Sequence, residues 1–84
     1  MIVERFRNGD ATAVGERFKL MGRMLPDGLV YKQSWIDLDG TRCFQIIETV
    51  QPELLTLWIE KWEDLVDFEV IPVQNSSDFW DSRA

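Results

Sequence analysis

The chain has 84 residues, enough for one domain and near the lower limit of what a single hydrophobic core stabilises unaided. Nine basic and fifteen acidic side chains give a formal charge of −6, which argues against nucleic acid and anionic membrane surfaces as partners. With no histidine and one cysteine, Cys43, it lacks a disulfide and the usual zinc ligand, general base and haem ligand, so no metal or cofactor is expected.

Charge is unevenly spread. Residues 1–25 hold five basic and three acidic side chains, net +2, whereas residues 48–84 hold two basic and nine acidic ones, net −7. No signal peptide and no apolar run long enough to cross a bilayer is visible, so a cytoplasmic location is expected.

Met1 to Phe6 reads as a short strand. Ile2, Glu4 and Phe6 share one face and Val3 and Arg5 the other, so each face carries a charge and the pattern does not orient the strand. If the strand is central, Glu4 and Arg5 each need a partner. Asp10 then supplies an N-cap, and a helix is expected to about Met24, with Val14, Phe18, Met21 and Leu25 as its apolar stripe. Gly15 costs that helix about 1 kcal/mol relative to alanine. Its missing side chain either admits a close neighbour or reflects drift. Pro26-Asp27-Gly28 turns the chain.

Leu29 to Glu48 is the organising stretch. Two runs rich in β-branched and aromatic residues flank Asp39-Gly40, which predicts a hairpin with a two-residue type I′ loop. Counting outward pairs Asp37 with Arg42, Trp35 with Phe44 and Gln33 with Ile46. The other face pairs Ile36 with Cys43, Ser34 with Gln45 and Lys32 with Ile47. Both faces are too apolar to stand in water, so the hairpin belongs in a sheet covered on both sides.

A second helix is expected from Pro52, with Gln51 a mediocre cap and Leu54, Trp58, Trp62 and Leu65 as its stripe. Tryptophans at i and i+4 on such a stripe belong to a core. Val66 to Val73 alternates as a strand, and Pro72 suits an edge or a strand end. Residues 74–84 form a polar tail whose Phe79-Trp80 pair is expected to be ordered, by packing on the domain or across a dimer.

Strand, helix, strand, strand, helix, strand is the order of an α+β ferredoxin-like domain, residues 1–73, with sheet order 4-1-3-2 and two helices on one face. Trp35, Phe44, Ile46 and Phe68 are expected beneath the helices. Ser34, Ile36, Cys43, Gln45 and Ile47 are expected on the uncovered face, which a second copy would cover.

The elements Glu4–Phe6, Gly22–Tyr31 with Ser34-Trp35, Arg42–Gln45 with Glu48-Thr49, and Trp58–Val73 together resemble a small bacterial family, domain-of-unknown-function family 3303. The resemblance covers nearly the whole chain up to Val73. It implies the dimeric α/β-barrel form of the ferredoxin-like fold, and it brings no assigned activity and no catalytic residues. Gly15 and Gln51 depart from the family pattern, as does a first strand that begins a few residues late.

Two functions follow. In one, a homodimer binds a small molecule, as a plain binder or a cofactor-independent enzyme, in a pocket on the uncovered face. Ser34, Gln45 and Cys43 are then the candidate ligand contacts, rather than the helix tryptophans. A Ser34–Gln45 hydrogen bond that merely fixes dimer register is the plainer alternative. Asp67 and Glu69 could form an acid–base pair on that face or lie on a solvated edge. In the other, the chain is a non-catalytic association module, favoured by its acidic last third and its aromatic tail.

Overall fold

The computed structural model describes residues 1–83. Its strands are β1 (Ile2–Phe6), β2 (Val30–Ile36), β3 (Arg42–Glu48) and β4 (Val66–Val70), and its helices α1 (Ala11–Met21), α2 (Leu54–Ile59) and α3 (Ser76–Asp81). The strands form one antiparallel sheet in the order β2-β3-β1-β4. This is the expected α+β, ferredoxin-like arrangement, with one further short helix in the tail. β4 is an edge strand and ends before Pro72.

The central strand decides which face is inside. Ile2 and Glu4 of β1 stand opposite Gln45 and Cys43 of β3, and Ile2, Glu4 and Phe6 opposite Val70, Phe68 and Val66 of β4. Trp58 of α2 meets Phe68 edge-on at 5.4 Å between ring centroids. Ile2, Phe6, Cys43, Trp58, Trp62 and Val66 share one buried cluster. The hairpin is therefore inverted relative to the expectation. Ser34, Ile36, Cys43 and Gln45 lie on the helix side, whereas Trp35, Phe44 and Ile46 lie on the open side with Val3. Volume explains the reversal: the helices bring two tryptophans to the sheet, and smaller strand residues make room for them.

Both charges of β1 find partners. Glu4, on the helix side, accepts a hydrogen bond from Gln45, and Arg5, on the open side, pairs with Glu69 at 3.3 Å. Asp67 pairs with Arg7 at 3.2 Å, so the two edge-strand acids are half-exposed ion-pair members rather than an acid–base couple.

The hairpin keeps its register with a different loop. Ile36 pairs with Cys43, Trp35 with Phe44, Ser34 with Gln45 and Gln33 with Ile46. Only Gly40 in the loop has a positive φ, 73°, whereas a type I′ turn needs two such residues. Asp37 replaces that turn: its carboxylate accepts from the backbone N–H groups of Thr41 and Arg42 and from Arg42 Nε, leaving Leu38 to Thr41 as a four-residue loop. The pairing slips between Tyr31 and Gln33, so that Tyr31 rather than Lys32 faces Ile47. This bulge at Lys32 turns Tyr31 onto the helix side.

α1 starts as expected, with Asp10 accepting from Thr12 N at 3.0 Å and Ala13 N at 3.4 Å. It ends three residues before Met24, because Gly22 takes φ 67° and its N–H caps Phe18 O. α2 is also shorter than its apolar stripe. It runs only from Leu54 to Ile59, and turns carry Trp62 and Leu65 onto the core. The tail is ordered but does not pack back. Asn75 caps α3 through Ser77 N, yet every residue from Ile71 to Arg83 is exposed except half-buried Phe79.

Candidate functional site

α1 contains no buried residue: Val14 is half-buried, and Phe18 is 44% exposed. The helix stands off the sheet, held by Arg17. That guanidinium donates to both carboxylate oxygens of Asp64 at 2.7 Å and to Lys61 O at 3.1 Å. A cavity of about 370 Å³ lies underneath. Its walls are mostly apolar, from Val14 and Phe18 on α1, Trp58 and Trp62 beyond, and Phe6 and Ile36 on the sheet. Gly15 opens onto it, and a Cβ built there would meet nothing within 4 Å. Close packing is therefore not the reason for this glycine.

The two tryptophans are fixed at their polar ends. Both indole N–H groups donate to one acceptor, the backbone carbonyl of Arg23, each at 3.0 Å. That carbonyl is presented by the tight segment after α1, where Gly22 and Met24 both take positive φ, 67° and 60°.

Polar groups converge on the sheet side of the cavity. Glu4 and Gln45 are buried, 6% and 3% exposed, and Gln45 Nε2 donates to Glu4 Oε2. Gln45 Oε1 is buried with no hydrogen-bond partner among the described residues. Burial raises the Glu4 pKa above its usual carboxylate value, opposed by hydrogen bonds from Gln45 and Cys43 and by the charge of Arg23. The same burial, reinforced by Glu4, pushes the Cys43 thiol up to about 12. Cys43 is thus a neutral thiol near pH 7, not a nucleophile. In the native protein it should react with iodoacetamide roughly a thousandfold more slowly than a free cysteine. Mass spectrometry after timed quenching measures this, and labelling at the free-thiol rate would contradict the assignment.

Ser34 borders the cavity within a small relay. Its hydroxyl is 2.7 Å from the Tyr31 hydroxyl and 3.4 Å from Arg23 Nη2, and the Arg23 guanidinium lies 3.6 Å from the Tyr31 ring centroid. Tyr31 reaches this position only because of the bulge at Lys32.

The model of a family described as Domain of unknown function (DUF3303) matches residues 1–82. The chain belongs to the DUF3303 family. No curated protein and no solved structure matches it. The family match runs through the tail as well as the ferredoxin-like body.

In this DUF3303 domain the three sequence-derived candidates, Ser34, Gln45 and Cys43, all line the cavity. They do so beneath the helices instead of on the uncovered face, and they share the walls with Trp58 and Trp62, which belong to the core as expected and also border the cavity. Sequence reasoning missed Glu4 and Arg23. Glu4 carried a usable signal, a charge on the same strand face as Ile2 and Phe6. Arg23 carried none, because its position depends on how α1 ends.

Proposed function

We propose that this DUF3303 domain binds a small molecule in the cavity between α1 and the sheet, and that it works as a cytoplasmic homodimer. One observation carries the reading: an apolar cavity of about 370 Å³ into which a few polar groups converge, among them a buried glutamine with an unsatisfied oxygen. An unpartnered buried acceptor costs roughly 1–3 kcal/mol, which a ligand or an ordered water would recover. The homodimer reading rests on the open face, where Trp35 is 49% exposed beside half-buried Phe44 and Ile46. Such a patch calls for a covering surface. A second reading, a module that docks on another protein, is favoured by the arm that carries Trp80, 66% exposed.

Native mass spectrometry of freshly purified protein tests both parts. The expected result is a dimer that retains a low-mass compound, released on denaturation. Gly15→Leu supplies the comparison: it removes a helix glycine at a gain of about 1 kcal/mol and places a side chain in the cavity. The variant should stay folded and dimeric but lose the compound. Retention of the same compound by Gly15→Leu would locate binding elsewhere, and a monomer at every concentration would remove the homodimer.

A further inference from the structure

We infer that the cavity takes a largely apolar organic molecule bearing one carboxylate, with Arg23 holding that carboxylate. This rests on the small-molecule reading above and specifies its ligand class. Four other arginines have acidic partners: Arg5 with Glu69, Arg7 with Asp67, Arg17 with Asp64 and Arg42 with Asp37. Arg23 has none within ion-pair distance among the described residues, although it is half-buried and lines the cavity. Glu4, the acid on the cavity wall, is not within that distance either, and it is engaged by Gln45.

The Arg23 guanidinium is held in place with no carboxylate in ion-pair contact, although its charge reaches Glu4 at longer range. It lies over the Tyr31 ring at 3.6 Å and near the Phe18 ring at 5.2 Å, and it spends one donor on Ser34. A guanidinium has five N–H donors, so most remain for a ligand in the fork geometry that suits a carboxylate. Aromatic flanks orient a cation without cancelling its charge. One unpaired cation beside apolar walls favours a single negative charge, because a second would be desolvated with nothing to compensate it. Size is permissive: a cavity of about 150 Å³ admits benzene, and this one is more than twice as large. In this arrangement the carboxylate lies at the Arg23–Ser34 end, and the apolar body lies along Phe18, Trp58 and Trp62.

Calorimetric titration of the full chain with 2-naphthoate and 2-naphthamide tests the inference, since the probes share rings and nearly share shape but differ in charge. Naphthoate should bind at least tenfold more tightly. Arg23→Gln should reduce naphthoate to the affinity of the amide and leave the amide unchanged, while Arg23→Lys should keep most of the preference. Equal binding of the two probes to the unaltered protein would overturn the carboxylate assignment while leaving the cavity as a binding site. A naphthoate preference that survives Arg23→Gln would overturn the role of Arg23. Failure of both probes to bind would overturn this inference and the small-molecule reading together. The comparison on the unaltered protein needs no variant, so it decides the carboxylate question even if a substitution at Arg23 impairs folding.

Discussion

Replacing Trp58 with alanine should destabilise the domain by about 3–5 kcal/mol. Trp58 is 1% exposed, stacks edge-on with Phe68 and donates its indole N–H to Arg23 O. Its removal opens a void beneath a helix layer that is already thin, because α1 has no fully buried residue and α2 is six residues long. A domain of 84 residues has about 4–13 kcal/mol in total, so the variant should be largely unfolded or close to it. Trp80→Ala is the control. At 66% exposure it should change folding stability by no more than about 0.5 kcal/mol. Urea titration measures both, and a Trp58→Ala variant within 1 kcal/mol of the parent would mean that the helices do not close the core.

Gln45→Leu should cost roughly 1–3 kcal/mol near neutral pH and less in acid. Gln45 supplies the hydrogen bond received by Glu4 Oε2, and leucine leaves that carboxyl with no donor at this atom. Loss of the orphaned Gln45 Oε1 offsets part of the penalty, but an ionised acceptor weighs more than a neutral amide oxygen. The pH dependence follows from linkage. The folded-state pKa of Glu4 is raised above 4.5, so its contribution is fully present below that value and is lost as pH rises through the folded value. Removing the Gln45 hydrogen bond, which lowers this pKa, moves the loss to still higher pH. Urea melts at about pH 5 and pH 8 should therefore show a larger Gln45→Leu penalty at the higher pH, and Glu4→Gln should flatten the parent profile. The double change Glu4→Leu with Gln45→Leu should recover most of the loss, since replacing both partners leaves no buried polar group unmatched. An equal penalty at both pH values would mean that the pair is not linked to a proton.

Element order, sheet order and hairpin register were all legible, because they rest on local signals: a two-residue period on either side of Asp39-Gly40, an aspartate cap before α1, and proline at the end of an edge strand. The facing of the sheet was not. Trp35 and Phe44 on one side and Ile36, Cys43 and Ile47 on the other give nearly balanced apolar faces. What breaks the balance is the volume of Trp58 and Trp62 arriving from α2, a long-range fact that no strand pattern contains. The bulge at Lys32 is similarly silent in sequence, and with it the position of Tyr31. Ser34, Gln45 and Cys43 share one face of the hairpin by the two-residue strand period, so they line the cavity together although that face lies beneath the helices. Arg23 lies between Gly22 and Met24, both at positive φ; glycine is an ordinary helix end, but no sequence signal marks Met24 for that conformation.

The shared carbonyl of Arg23 has a spectroscopic consequence. Trp58 and Trp62 donate to it side by side, and both line the cavity. Their indoles are therefore built-in optical reporters of what occupies the space between them and Phe18. Trp80 is the most exposed of the four tryptophans at 66%, so its emission lies further to the red and separates from that of the buried pair. Selective quenching or a blue shift in the short-wavelength component would follow cavity occupancy in real time, with no label attached to the protein.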